Sequence, residues 1–280
     1  MISGDRRLRV GIGVAMLAGI MVFPQPGAEA DTLRGPNTFA QVSSFAVEKA
    51  IPPAFAGPTQ STDPAPPVEM RVNIYRAFAY MQGHLLVGDD LVKESHWEQA
   101  LPHFSTLMEE WEKLSKQPAT LPDVSAFRSE LSTLIEAVKA KHSIAYHQNA
   151  ASAQKKLTEA INQYRAMLPG SVAGVAVIAV NQLLKMAAVA YATSIEQDKF
   201  VKPESYQDSR GLIWSAELVY VDHSRYLESV DLYRLGEIRM LMNEMKAAFP
   251  TAMPPPTPIM NPQDMNARVA HIEQLSAVYQ

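Results

Sequence analysis

The chain has 280 residues, with 25 Lys and Arg against 29 Asp and Glu, and no cysteine. The slight acidic excess contains no basic patch, so nucleic acid is not an expected partner. The missing thiol excludes disulfides, thiolate metal centres, thioether haem attachment, a cysteine nucleophile and a lipidated N-terminal Cys.

Residues 1–30 read as a secretory signal peptide. Arg6, Arg7 and Arg9 form a positive n-region, an apolar run follows from Val10 to Phe23, and Ala28-Glu29-Ala30 supplies the small-x-small cleavage signal. The mature protein is expected to begin at Asp31, after cleavage behind Ala30, and to be periplasmic or secreted. The apolar run falls short of the ~20 residues a transmembrane helix needs, so no stable span is expected after cleavage. The twin Arg6-Arg7 is compatible with the Tat route, but Arg9 stands where an apolar residue belongs and favours Sec.

Residues 31–67 read as a disordered Pro-rich tether, with a short helix at Thr38–Lys49. Pro52-Pro53, Gly57-Pro58 and Asp63-Pro64-Ala65-Pro66-Pro67 neither continue a helix nor join a central strand. Residues 68–280 form the folded part, a size that fits one domain. There the apolar spacing turns helical, with no alternating run worth reading as a strand.

The first helix is expected over about 69–93, with Ile74, Phe78, Met81, His84, Leu85, Gly88 and Leu91 on its apolar face. The second opens at Ser95-His96-Trp97-Glu98, which has the form of a capping box. Trp97, Phe104, Met108 and Trp111 form its stripe, and Pro102 predicts a kink or an unwound first turn. Asp123 is placed to cap a third helix carrying Phe127, Leu131, Leu134 and His142. Tyr146 to Leu168 continues the pattern, either as the same rod or as a fourth helix. Residues 171–197 are the most apolar stretch of the mature chain, and Asn181, Gln182 and Lys185 mark it as a core helix rather than a membrane span. A helix follows Pro203, Ser229 is placed to cap another, and Asn261-Pro262 reads as N-cap and N1 of the last. The fold class is therefore all-α, an up-down helical bundle of about six to eight helices. Gly83, Gly88 and Gly211 are expected to serve close helix packing.

His84, His142 and His223 each continue an apolar stripe on a different helix, and Asp208 shares the stripe of His223, with Glu204 one turn earlier. Bundle cores build metal sites from such inward His and carboxylates. His103 is a further candidate, although Gln99 one turn before it is an amide and a poor ligand. The candidate metal set is thus His84, His103, His142, His223 and Asp208, and the cofactor expected there is a transition-metal ion. The bland alternative is that each histidine is hydrogen-bonded within the core. His96, His103 and Glu110 recur every seven residues along one face, which reads as a solvated rim. The late methionines suit core packing, with Met253 and Met260 in the proline-rich spacer as soft ligands for copper.

No Gly-x-Ser-x-Gly elbow, Walker loop or dinucleotide fingerprint is present. The architecture is similar to that of the imelysin-like exported helical proteins of bacterial iron handling. Their Gly-x-His-x-x-Glu hallmark is absent, since Gly83-His84 lacks both the spacer and the Glu, and no residue role carries over. The reading is an exported, non-catalytic helical bundle that binds a protein partner, with Trp97 and Trp111 as interface residues. The alternative is a periplasmic metal-binding protein of iron or copper handling.

Overall fold

A computed structural model describes residues 66–117, 125–168 and 170–280. The expected signal peptide, nearly all of the expected proline-rich tether with its short helix, and the expected Asp123 cap lie outside the described residues.

Eight α-helices carry the fold among the described residues: α1 (Val68–Lys93), α2 (Trp97–Ser115), α3 (Ser125–Lys139), α4 (Ser143–Met167), α5 (Val172–Thr193), α6 (Pro203–Asp222), α7 (Ser224–Lys246) and α8 (Pro262–Ser276). The all-α bundle expected from the periodicity is what forms, with an internal division that the periodicity does not show. In α1–α4 each helix packs on the next and α4 closes back on α1. In α5–α8 the same happens, and α8 closes back on α5. Two four-helix bundles result, joined along a seam where α1 packs on α5 and α6.

α5 is long and apolar enough to cross a membrane by length and composition. Most of it is nevertheless buried inside the domain, with Ala176, Val180, Leu183, Leu184 and Ala187 fully enclosed. Its one buried amide, Asn181, donates to the Ser276 hydroxyl of α8 at 2.8 Å, which removes the cost of leaving it unpaired.

Helix ends account for several differences from expectation. Ser95 does not open α2. It adopts a left-handed conformation (φ 67°) and closes α1, its N–H donating to the Val92 carbonyl and that of His96 to the Leu91 carbonyl. That pair of bonds is a Schellman motif, in which a residue at positive φ satisfies the last carbonyls. Lys141 (φ 52°) closes α3 in the same way through Val138 and Ala137, so α3 and α4 are two helices. α2 runs through Pro102. α7 bends at Asp231, whose carboxylate caps the second half by accepting from the Arg234 N–H at 3.0 Å. Ser229, the expected cap, donates instead to the Tyr226 carbonyl. At α8, Asn261 accepts from the Asp264 N–H and Pro262 takes N1, as the sequence predicts.

One short hairpin interrupts the helices: β1 (Ile195–Glu196) pairs antiparallel with β2 (Lys199–Phe200). Gln197 and Asp198 turn it with φ of 49° and 57°, the positive pair that a tight two-residue hairpin turn requires. Lacking Asn-Gly or Asp-Gly, the turn leaves no signal in the sequence.

The seam is built from small residues. A Cβ on Gly83 would lie 2.9 Å from the Gly211 backbone carbonyl, so α1 and α6 touch backbone to backbone. Ser215 donates to the Ala79 carbonyl at 2.6 Å one turn further along, and Arg210 pairs with Asp90. Gly211→Ala is expected to force the helices apart and lower unfolding free energy by about 2 kcal/mol, read by urea denaturation. Ser95→Gly should instead raise it, by up to about 1 kcal/mol, because glycine enters the left-handed region without a Cβ penalty.

Candidate metal centre

The polar cluster of this protein is set by the same small residues. His84 follows Gly83 on α1, and Asp208 lies one turn before Gly211 on α6. His103 precedes Phe104 on α2, and the Phe104 ring occupies the space where Gly88 lacks a side chain, its Cζ 2.7 Å from the position of a Cβ. The two glycine contacts draw three helices together at one level and leave the neighbouring polar side chains facing one another.

At that level His84 Nδ1 lies 3.2 Å from His103 Nδ1. Asp208 Oδ1 lies 3.3 Å from His103 Nδ1 and 3.8 Å from His84 Nδ1. These three atoms form a group that can hold a metal ion. Ligand atoms around a tetrahedral ion with bonds of ~2.0–2.1 Å stand about 3.3 Å apart; the two separations from His103 match that spacing, and the His84–Asp208 distance is wider. The imidazoles are 3% and 1% exposed, whereas Asp208 is 30% exposed. The cage therefore reaches solvent through its carboxylate.

The protonation pattern favours a cation. The Gln207 amide oxygen lies 3.1 Å from His103 Nε2. An amide oxygen only accepts, so Nε2 carries the ring proton and the lone pair of Nδ1 points into the cluster. Burial pulls His84 from the ordinary 6.5 down to about 4, with the Asp208 carboxylate opposing and His103 adding to the fall. His84 is thus a neutral ring near pH 7. Its Nε2 is buried without a hydrogen-bond partner among the described residues. The group consists of two buried imidazoles and one carboxylate. That donor set suits a transition-metal ion with open coordination positions.

The surroundings support the ligands. The Tyr80 ring packs on His84 with centroids 4.4 Å apart. Burial raises the Tyr80 phenol to about 12, and Asp208, Glu110, Glu109 and Glu204 push in the same direction. On the far side of His103, Gln207 donates through Nε2 to the Met253 sulfur at 3.3 Å. Met253 lies in the segment between α7 and α8, which is tied down where Tyr206 donates to the Thr251 carbonyl at 2.9 Å and Tyr191 to the Met260 carbonyl at 2.6 Å.

Of the five residues singled out from sequence, His84, His103 and Asp208 come together. His142 lies elsewhere, exposed at the N-terminus of α4, where its Nδ1 accepts from the Ala145 N–H at 3.2 Å. His223 lies between α6 and α7, its Nε2 hydrogen-bonded with the Tyr75 hydroxyl at 2.9 Å, a rung of the seam. The heptad face of α2 divides: His103 is buried, while His96 and Glu110 stay at the rim, Glu110 beside Lys113 at 3.4 Å. Glu204 is exposed in the first turn of α6. Met253 and Met260 both pack against the core. Trp111 is core too, edge-on to Phe127 at 4.5 Å, and Trp97 is half-buried against Tyr146. Sequence reasoning assigned no role to Gln207 or Tyr80. Their only signals are position, one residue before Asp208 and four before His84.

Residues 171–280 match the family described as iron permease-associated 4-helix bundle domain. The match spans the second bundle, α5–α8, and so includes Gln207, Asp208 and Met253 but neither imidazole. No curated protein and no solved structure matches the chain.

A third buried imidazole, His223, gives a pH dependence. Burial, and then the Arg165 guanidinium, lower His223 from 6.5 to about 4. On acidification the unfolded chain takes up its proton first, so stability is full above about pH 6.5 and falls as pH drops toward 4. His84 has the same sign. Unfolding free energy is expected to fall by on the order of 1–3 kcal/mol between pH 7 and 4.5. His223→Gln, whose amide oxygen still accepts from Tyr75, should flatten part of that slope. A wild-type profile that is level across the window would contradict the assignment.

Proposed function

We propose that this protein binds a transition-metal ion, ferrous iron first, through His84, His103 and Asp208, and that it serves metal handling outside the cytoplasm. The convergence of two buried imidazole nitrogens and one carboxylate oxygen within 3.2–3.8 Å carries the reading. Two histidines and one carboxylate with open positions are a donor set associated with Fe(II). The single negative charge of the set disfavours a trivalent ion, because each further positive charge would be left uncompensated in a nearly dry pocket. The likeness of α5–α8 to a domain associated with iron permeases supports iron among the candidates. The N-terminal signal read in the sequence supports an exported location. In this reading the ion is cargo held by His84, His103 and Asp208, and the role is binding.

The reading is tested by loading purified protein with Fe(II) under anaerobic conditions and weighing it by native mass spectrometry. Wild type should carry one ion. His84→Ala/His103→Ala should carry none, whereas His142→Ala should carry one. Full loading of the double variant would remove the site.

A partner-binding reading retains one supporting observation. α7 leaves Tyr226, Val230, Tyr233 and Met240 exposed, Tyr233 at 89%. Apolar residues of this size on one helix suit a protein contact. Photo-crosslinking from position 233 in cells should capture a partner. Crosslinks no different from those at an exposed polar position of α4 would discard the idea.

A further inference from the structure

We infer that Gln207 is a positioning residue that decides which nitrogen His103 offers to the ion. The inference rests on the metal-binding reading above.

A neutral imidazole has one lone pair, on Nδ1 or on Nε2, and the hydrogen bond made by one nitrogen fixes the other. In His103, Nδ1 faces His84 and Asp208, and Nε2 faces Gln207. A Gln207 amide turned by half a revolution would present its NH2 group to Nε2. The ring proton would then have to sit on Nδ1, where it would occupy the space the ion needs. The amide is kept from turning by Met253. A thioether sulfur accepts weakly and cannot donate, so the NH2 group belongs on the Met253 side, at 3.3 Å. A turned amide would set its oxygen against that sulfur, acceptor to acceptor.

Met253 is itself held. The Thr251 hydroxyl donates to its carbonyl at 2.6 Å, Tyr206 holds the Thr251 carbonyl, and Pro254-Pro255-Pro256 follows as a stiff segment. Gln207 is 2% exposed, so water does not compete for either end of the amide. Orientation therefore passes in one line from the α7–α8 segment through sulfur and amide to the ring. An amide in this place also spares the pocket the second buried negative charge that a carboxylate would add.

The test compares wild type with Gln207→Leu, Gln207→Glu and Met253→Leu. Binding of Fe(II) is measured by anaerobic titration, the absorption bands of Co(II) report the ligand set, and 15N chemical shifts give the His103 tautomer in metal-free protein. Gln207→Leu is expected to weaken binding 10–100-fold, the usual effect of removing such a partner, while the metal-free melting temperature holds. It should also show His103 as a mixture of tautomers. Gln207→Glu, which only accepts, should keep the Nε2–H tautomer, the Co(II) bands and wild-type affinity or better. Met253→Leu should weaken binding several-fold and admit the second tautomer. Wild-type affinity and a single Nε2–H tautomer in Gln207→Leu would overturn the inference and leave the metal site standing. Should Gln207→Leu fail to fold, the other two variants decide, and a Gln207→Glu protein with lost affinity and altered bands would overturn it equally. A wild type that binds no ion, or a His84→Ala/His103→Ala protein that binds as well as wild type, would overturn the metal reading and this inference with it.

Discussion

The seam between the two bundles depends on two backbones touching at Gly83 and Gly211. The proposed metal site is referenced to that contact. Side chains on a helix are fixed in height by the backbone that carries them, and a glycine pair fixes two backbones relative to each other without an intervening side chain to flex. His84 and Asp208, one and three residues away, inherit that registration. Gly88 does the same for α2, because the Phe104 ring can lie only where no Cβ exists, and His103 is Phe104's neighbour. Rigid packing of small residues thus becomes precision in a polar cluster, which is what a metal cage requires.

The cluster runs against the chemistry of its surroundings. Two imidazoles sit almost dry among apolar residues, and one has a nitrogen with no partner. Several other buried polar groups are paired: Asn181 with Ser276, His223 with Tyr75, Ser215 with the Ala79 carbonyl. A fold that satisfies those groups yet leaves His84 Nε2 open, with acceptors crowded about His84 Nδ1, places unfavourable burial beside the cluster. Departures of that kind gather at functional sites.

Much of this was readable in the amino acids. Period and proline placement give the helices, Asn261-Pro262 gives the start of α8, and the glycines give the close contacts. His84 and Asp208 stand out because they interrupt apolar stripes. The rest depends on pairings distant in the chain. Nothing local distinguishes one bundle of eight helices from two of four, since each helix has the same amphipathic character in either arrangement. His142 and His84 carry equivalent signals, and only the left-handed residue at Lys141 turns the first outward. Ser95 satisfies the spelling of a capping box, but the demand of α1 for a terminating residue at positive φ takes precedence. His103 looked like part of a wet rim because the face it shares with His96 and Glu110 is covered over only part of its length. Gln207 was invisible because an amide has no fixed role until its two ends have neighbours.

The donors of the cage come from both bundles, two from the first and one from the second. An ion held there is a tie between them, and the linkage runs both ways: what favours the docked arrangement favours the ion, and the ion favours docking. At a hundredfold excess over its dissociation constant a ligand contributes about 2.7 kcal/mol to the state that binds it, comparable to a few good packing contacts along the seam. Anything that pried α6 away from α1 by a few ångströms would separate carboxylate from imidazole and let the ion go. On the proposed reading, the interface between the bundles is therefore also the lever on the ion, since loosening it removes one donor without any group competing at the other two.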